Sequence, residues 1–197
     1  VLRGQRGDRE QACLLSNGIY SLRIKSTGEC AAFLGDTCIY RPEGDDSGLA
    51  LTLGDHALPF ERWELSEDRC RWEAVLDGLQ ATLTRQCAEG ERGEMLTLSL
   101  TSEKTRSLPI ALRFAPVLAS ERDWESHRAY WQLGMEAEVR GGRLLLRRLS
   151  KSGEGEKFLC LAADHPAVFD ADARGGTGAL LSPMLRVRVD LTVHKGC

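Results

Sequence analysis

Apolar and polar residues alternate in short runs along most of this chain. Tyr20, Leu22 and Ile24 alternate with Ser21, Arg23 and Lys25. Trp72, Ala74 and Leu76 repeat the pattern, and Ala81 and Leu83 continue it after Asp77-Gly78. Leu96, Leu98 and Leu100 alternate with Thr97, Ser99 and Thr101, and Ile110, Leu112 and Phe114 with Ala111, Arg113 and Ala115. Near the C-terminal end, Leu185, Val187, Val189 and Leu191 alternate with Arg186, Arg188, Asp190 and Thr192. A period of two over five to eight residues predicts strands with one buried face. Asn17-Gly18 and Asp77-Gly78 read as tight hairpin turns, because their residues tolerate positive φ. Residues 89–94 and Gly141-Gly142 read as further hairpin connections, and residues 150–157 as another turn.

About a dozen such strands joined by short turns predict an all-β fold, a large antiparallel two-sheet sandwich. Crossover helices of the kind an α/β fold needs are not found. The best helical candidate lies around residues 121–131, where Glu121, Asp123 and Glu125 resemble a first turn. Residues 41–48 read as a loop and as the best internal boundary, and residues 170–182 as a long surface loop. The division expected is an N-terminal extension over residues 1–12 and a single β-sandwich domain over residues 13–197.

Composition narrows the function classes. The 197 residues include 26 Lys and Arg against 29 Asp and Glu, a net charge of -3, so the basic footprint of a nucleic-acid binder is missing and no nucleic-acid partner is expected. At 42% hydrophobic and 28% charged residues the chain has globular rather than disordered composition. No apolar run has the length of a membrane-spanning helix. The first residues carry no apolar signal region, and the chain opens on Val1, which suits a processed chain or a piece of a longer one. The seven cysteines form no CxxC pair, and their odd number predicts free, mostly buried thiols and a cytoplasmic location.

Candidate chemistry is sparse. His56, His127, His165 and His194 are far apart in the sequence, with no HxH or HExxH arrangement, so no metal site is expected. Asp164 beside His165 has the composition of a carboxylate orienting a base, and equally that of two polar residues on a surface loop. The Gly175–Gly178 stretch lacks the Lys of a phosphate loop. Asp45-Asp46 and Asp170 with Asp172 are weak calcium candidates and stay outside the reading adopted. No catalytic residue and no cofactor are expected. Trp124, His127, Tyr130 and Trp131, with Glu125, Arg128 and Gln132 between them, combine flat apolar rings with polar groups, as a sugar-contacting surface does. Adjacent residues of an extended segment face opposite ways, so one of Tyr130 and Trp131 belongs to the core if this stretch is a strand.

A resemblance gives these segments a sharper expectation. Leu14–Ser21 followed by Leu22-Arg23-Ile24-Lys25, then Gly35-Asp36 and Ile39-Tyr40-Arg41, resemble the start of the N-terminal β-sandwich of cellobiose and chitobiose phosphorylases and cyclic β-1,2-glucan synthases. Residues 78–84 and 95–100 resemble the paired strands that follow. His127–Leu133 resembles a His-Pro-Ala-aromatic stretch with Arg128 in place of Pro, and residues 142–148 the strand after it. The resemblance implies the supersandwich, a galactose-mutarotase-like fold, whose catalytic groups reside in a separate helical barrel. It therefore implies a non-catalytic accessory domain of a glycoside phosphorylase or glycosyltransferase. The implied partners are a helical-barrel catalytic domain of the same polypeptide, an oligosaccharide and, by similarity, a second copy in a homodimer. The alternatives are an independent carbohydrate-binding module and a structural or protein-interaction sandwich.

Overall fold

The computed structural model describes residues 1–41, 49–54, 56–126, 134–149, 155–172 and 184–196. In chain order its strands begin with β1 (Leu2–Gln5), β2 (Ala12–Ser16), β3 (Tyr20–Lys25), β4 (Cys30–Leu34) and β5 (Thr37–Arg41). They continue through β6 (Leu49–Leu53), β7 (His56–Ala57), β8 (Phe60–Leu65), β9 (Arg69–Leu76), β10 (Leu79–Gln86) and β11 (Met95–Ser102). The long β12 (Arg106–Ser120) leads into the helix α1 (Glu121–Ser126). The last strands are β13 (Met135–Arg140), β14 (Arg143–Arg148), β15 (Lys157–Ala162), β16 (Ala167–Asp172) and β17 (Met184–Val193).

The alternating runs are strands, but they do not form a two-sheet sandwich. They divide among four small sheets in the manner of a four-bladed β-propeller. The first has the order β1-β8-β9-β10-β11. The second is β2-β3-β4-β5, closed by the end of β12. The third is β7-β6-β12-β17-β16, and the fourth is β13-β14-β15. All strand pairs within them are antiparallel. The sandwich expectation fails because a period of two tells which face of a strand is buried, and nothing about which strands share a sheet.

The second and third sheets are joined through β12. Its first part pairs with β17 and β6, its last part with β5, and the register shifts between Pro116 and Ala119. Leu118 takes a positive φ of 49° at this kink, a costly conformation for a non-glycine residue. The carbonyl that the kink turns away is satisfied: Arg148 Nη1, from β14 of the fourth sheet, donates to Leu118 O at 2.8 Å. Arg148 occupies the same strand face as buried Leu144 and Leu146 and is itself buried.

One core draws on all four sheets. Leu22 and Ile24 come from β3, Trp72 from β9, Leu144 and Leu146 from β14, and Leu185 from β17. Trp72 has no exposed surface, and its Nε1 donates to the Ser26 carbonyl at 3.0 Å, so the indole ties the first sheet to the turn after β3. Residues 1–12, set apart in the sequence as an extension, bring β1 against β8, with Leu2 opposite Leu65. The predicted loop over 170–182 begins later than expected, because β16 extends through Asp172 against Met184. β16 lies at the edge of its sheet, where the charge of Asp170 and Asp172 is tolerated.

Candidate functional site: the β10–β11 hairpin and its buried anchor

Leu79, Ala81, Leu83 and Arg85 occupy alternate positions of β10, and all four are buried. A strand that continues its apolar face with an arginine must provide for a guanidinium in the interior. Arg85, 1% exposed, is met by Glu94 from the far end of the connecting loop, Nε lying 3.6 Å from Oε2. The other carboxylate oxygen, Oε1, accepts from Tyr40 Oη and, at 3.3 Å, from Tyr20 Oη. Arg85 Nη2 donates to Tyr40 Oη at 3.3 Å, and the Cys30 thiol lies 3.7 Å from the same hydroxyl. Among the described residues Arg85 Nη1 and Glu94 Oε2 have no hydrogen-bond partner.

Burial first, and the Glu94 carboxylate after it, lift the Tyr20 hydroxyl above its ordinary range. Burial likewise keeps Tyr40 protonated, and it pushes the Cys30 thiol up to about 11. Both phenols are thus fixed as donors to the carboxylate. The ionised groups compensate each other and face inward. Chemically the arrangement is an anchor: two residues flanking one hairpin loop are tied to two tyrosines of the second sheet. Such a pair adds little net stability over an apolar substitute, but it is costly to break from one side and it specifies geometry.

A second clamp holds the same loop from the side. Asn17 Oδ1 accepts from the backbone N–H groups of Ile19 and Tyr20, at 3.0 and 2.8 Å, and so shapes the β2–β3 turn. Its Nδ2 donates across to the carbonyls of Ala88 and Glu91, at 2.5 and 2.8 Å. The predicted turn residue is therefore also a clamp between two sheets. At the other end of β10, the β9–β10 turn has φ of 50° at Asp77 and 72° at Gly78, as its sequence predicts.

What this anchored hairpin displays is uncharged. From Met95 to Ser102, β11 has no charged residue and no proline. Thr97, Ser99 and Thr101 point outward, opposite Thr84, Thr82 and Gln80 of β10. Among the described residues, β11 pairs with β10 alone, save for a bridge from Ser102 to Lys195. Two bonds fix which backbone groups are free. Glu103 N–H donates inward to Gly78 O, and Ser102 O turns outward to accept from Gly196 N–H. By the two-residue alternation of an antiparallel ladder, the N–H and C=O groups of Leu96, Leu98 and Leu100 point out from the edge. Open hollows lie at both ends of the hairpin, one of about 320 Å³ beside Glu91, Glu94 and Met95, the other of about 490 Å³ beside Gly78, Thr101 and Lys195.

The residues singled out for sugar contact fall at the end of the described helix and beyond it. Trp124 belongs to α1 by its backbone; its side chain, and all of His127, Tyr130 and Trp131, lie outside the described residues. The described helix is capped by Ser120, whose Oγ accepts from Asp123 N–H at 3.2 Å. His165 Nδ1 lies 2.9 Å from the Asp164 carboxylate on an exposed turn, and the hydrogen bond to His165 lowers the pKa of that carboxyl. Asp45, Asp46 and Gly175–Gly178 also lie outside the described residues. Among the described residues no group of His, Cys, Asp and Glu gathers to hold a metal ion.

The kinship with the phosphorylase and glucan-synthase sandwich is not supported. Four sheets in a propeller-like arrangement replace the supersandwich, and the accessory-domain role and the phosphorylase or glycosyltransferase parent that followed from it fall with the fold. The short motifs behind the resemblance record strand alternation and turn chemistry, which antiparallel sheets of many topologies share. No protein-family model matches the chain, and no curated protein matches it by sequence.

Proposed function

We propose that this chain is an assembly module that joins a second copy of itself by adding strand to strand at the β11 edge. The observation that carries the reading is the uncharged edge of β11, which among the described residues is open from Met95 to Thr101 and is presented by a hairpin anchored on two sides. Sheet edges that remain single are normally blunted by charge, proline, shortness or bulges. β1 is four residues long and carries Arg3, β16 carries Asp170 and Asp172, and β13 carries Glu136, Glu138 and Arg140.

Antiparallel pairing of β11 with itself about a two-fold axis at Leu98 sets Leu96 opposite Leu100 and Thr97 opposite Ser99. In that register every outward N–H and C=O of Leu96, Leu98 and Leu100 finds a partner. Hydroxyl meets hydroxyl on the outer face, leucine meets leucine on the inner one, and no like charges oppose each other. Sedimentation equilibrium over a wide concentration range tests this. A reversible monomer–dimer equilibrium, abolished by Ser99→Lys, is expected. A monomer at all concentrations, or open-ended oligomers, would overturn it.

A further inference from the structure

A pair of thiols crosses from one sheet to another. Cys13 lies in β2, the edge strand of the second sheet, and is half-buried; Cys70 lies in β9, inside the first sheet, and is fully buried. Their sulfur atoms are 3.4 Å apart. A disulfide needs about 2.05 Å, a closure that side-chain rotation with a small shift of one strand supplies. Among the described residues β2 is paired on one side, to β3, which leaves it room to shift.

We propose that Cys13 and Cys70 form a reversible oxidation site, closed to a disulfide by hydrogen peroxide. The Cys13 thiolate attacks one peroxide oxygen, the O–O bond breaks, hydroxide leaves, and Cys13 becomes a sulfenic acid. The Cys70 sulfur then attacks the Cys13 sulfur, the S–O bond breaks, and the hydroxyl departs with the Cys70 proton as water. The hydroxide takes up the proton that Cys13 released on ionising. In sum two thiols lose two hydrogens and two electrons, and one peroxide becomes two waters.

The order of events follows from the surroundings. The hydrogen bond from Cys70 lowers the pKa of Cys13, outweighing its partial burial, whereas the same bond and deeper burial push the Cys70 thiol far up. Cys13 is therefore the more acidic and more accessible thiol, and Cys70 the sealed resolving one. Burial raises Cys30 and Cys87 to about 11 and Cys38 to about 12, so these compete poorly. The bridge would link the first and second sheets beside the hairpin anchor, since Cys70 is the cross-strand neighbour of Arg85.

The test is brief treatment of the native chain with hydrogen peroxide, alkylation of the remaining thiols, and peptide mapping without reductant. The expected product is one cross-linked species containing Cys13 and Cys70, lighter by two hydrogens and restored by dithiothreitol. In Cys13→Ser, Cys70 should remain a thiol, while oxidation of exposed Cys160 should proceed as before. Cys13 advancing to sulfinic acid with Cys70 unmodified, or Cys13 cross-linked to another cysteine, would overturn the proposal. The wild-type map decides this even if the variant folds poorly.

Discussion

Two hairpins of this molecule use the same pair of residue types to opposite ends. In β10–β11, Arg85 and Glu94 meet in the interior, with 1% and 9% of their side chains exposed. In β13–β14, Arg147 and Glu136 meet on the surface at 2.5 Å, and Arg147 also reaches Glu156 at 3.7 Å. The buried pair holds its hairpin against the second sheet and leaves its edge uncharged. The exposed pair leaves charge standing on an edge strand, with Glu138 and Arg140 beside it. The lesson is that an ion pair's place decides its work. Inside it fixes position, and outside it keeps an edge solvated and single.

The largest effect should come from breaking the buried pair. Glu94→Gln leaves the Arg85 charge uncompensated and should lower unfolding free energy by about 3–5 kcal/mol. Glu136→Gln, at an exposed pair, should cost less than about 1 kcal/mol. Urea denaturation of both variants measures the difference. The paired replacement Arg85→Met with Glu94→Leu should recover most of the loss, giving a coupling of more than about 1 kcal/mol in the double-mutant cycle. Equal effects of the two Glu→Gln changes would erase the distinction between the hairpins.

A smaller effect is expected at the β12 kink. Arg148→Leu strips the Leu118 carbonyl of a buried donor and should cost about 1–3 kcal/mol, read as a lowered urea midpoint at unchanged slope. The smallest effect on stability, and a large one on association, is expected at the edges. Thr97→Lys or Ser99→Lys should change stability by less than about 0.5 kcal/mol. Each should nevertheless abolish the dimer, whereas Val139→Lys on the already charged β13 edge should leave it intact.

Thiol reactivity gives a prediction in pH. The hydrogen bond with Cys70 lowers the pKa of Cys13, so its alkylation rate should reach half-maximum at lower pH than that of a thiol without such a partner. Cys30, raised to about 11, should stay unreactive across that range. The order reverses if burial rather than the Cys70 hydrogen bond governs Cys13.

Much of the local structure is legible in the sequence. The alternation in β3, β9, β10, β11 and β17 marks strands, and Asp77-Gly78 and Gly141-Gly142 mark tight turns with positive φ. β12 is read short, over 110–114, because Pro109 and Pro116 interrupt the pattern that the strand runs through. Which strands are neighbours is not legible: β1 joins β8 across a long stretch of chain, and nothing in either segment names the other. The anchor is half legible. Arg85 falls in phase with Leu79, Ala81 and Leu83, which marks a buried cation needing a partner. Glu94 reads as one more polar residue of a surface loop, since its burial depends on Tyr20 and Tyr40 from another sheet.

The most direct measurement is amide hydrogen exchange along β11 at several protein concentrations. The N–H groups of Leu96, Leu98 and Leu100 point outward from the edge, while those of Thr97, Ser99 and Thr101 already bond to β10. The account predicts that protection of Leu96, Leu98 and Leu100 rises with concentration, in step with the dimer seen by sedimentation, and is absent in Ser99→Lys. Protection of these three amides that is independent of concentration, or a dimer that forms without it, would contradict assembly through this edge.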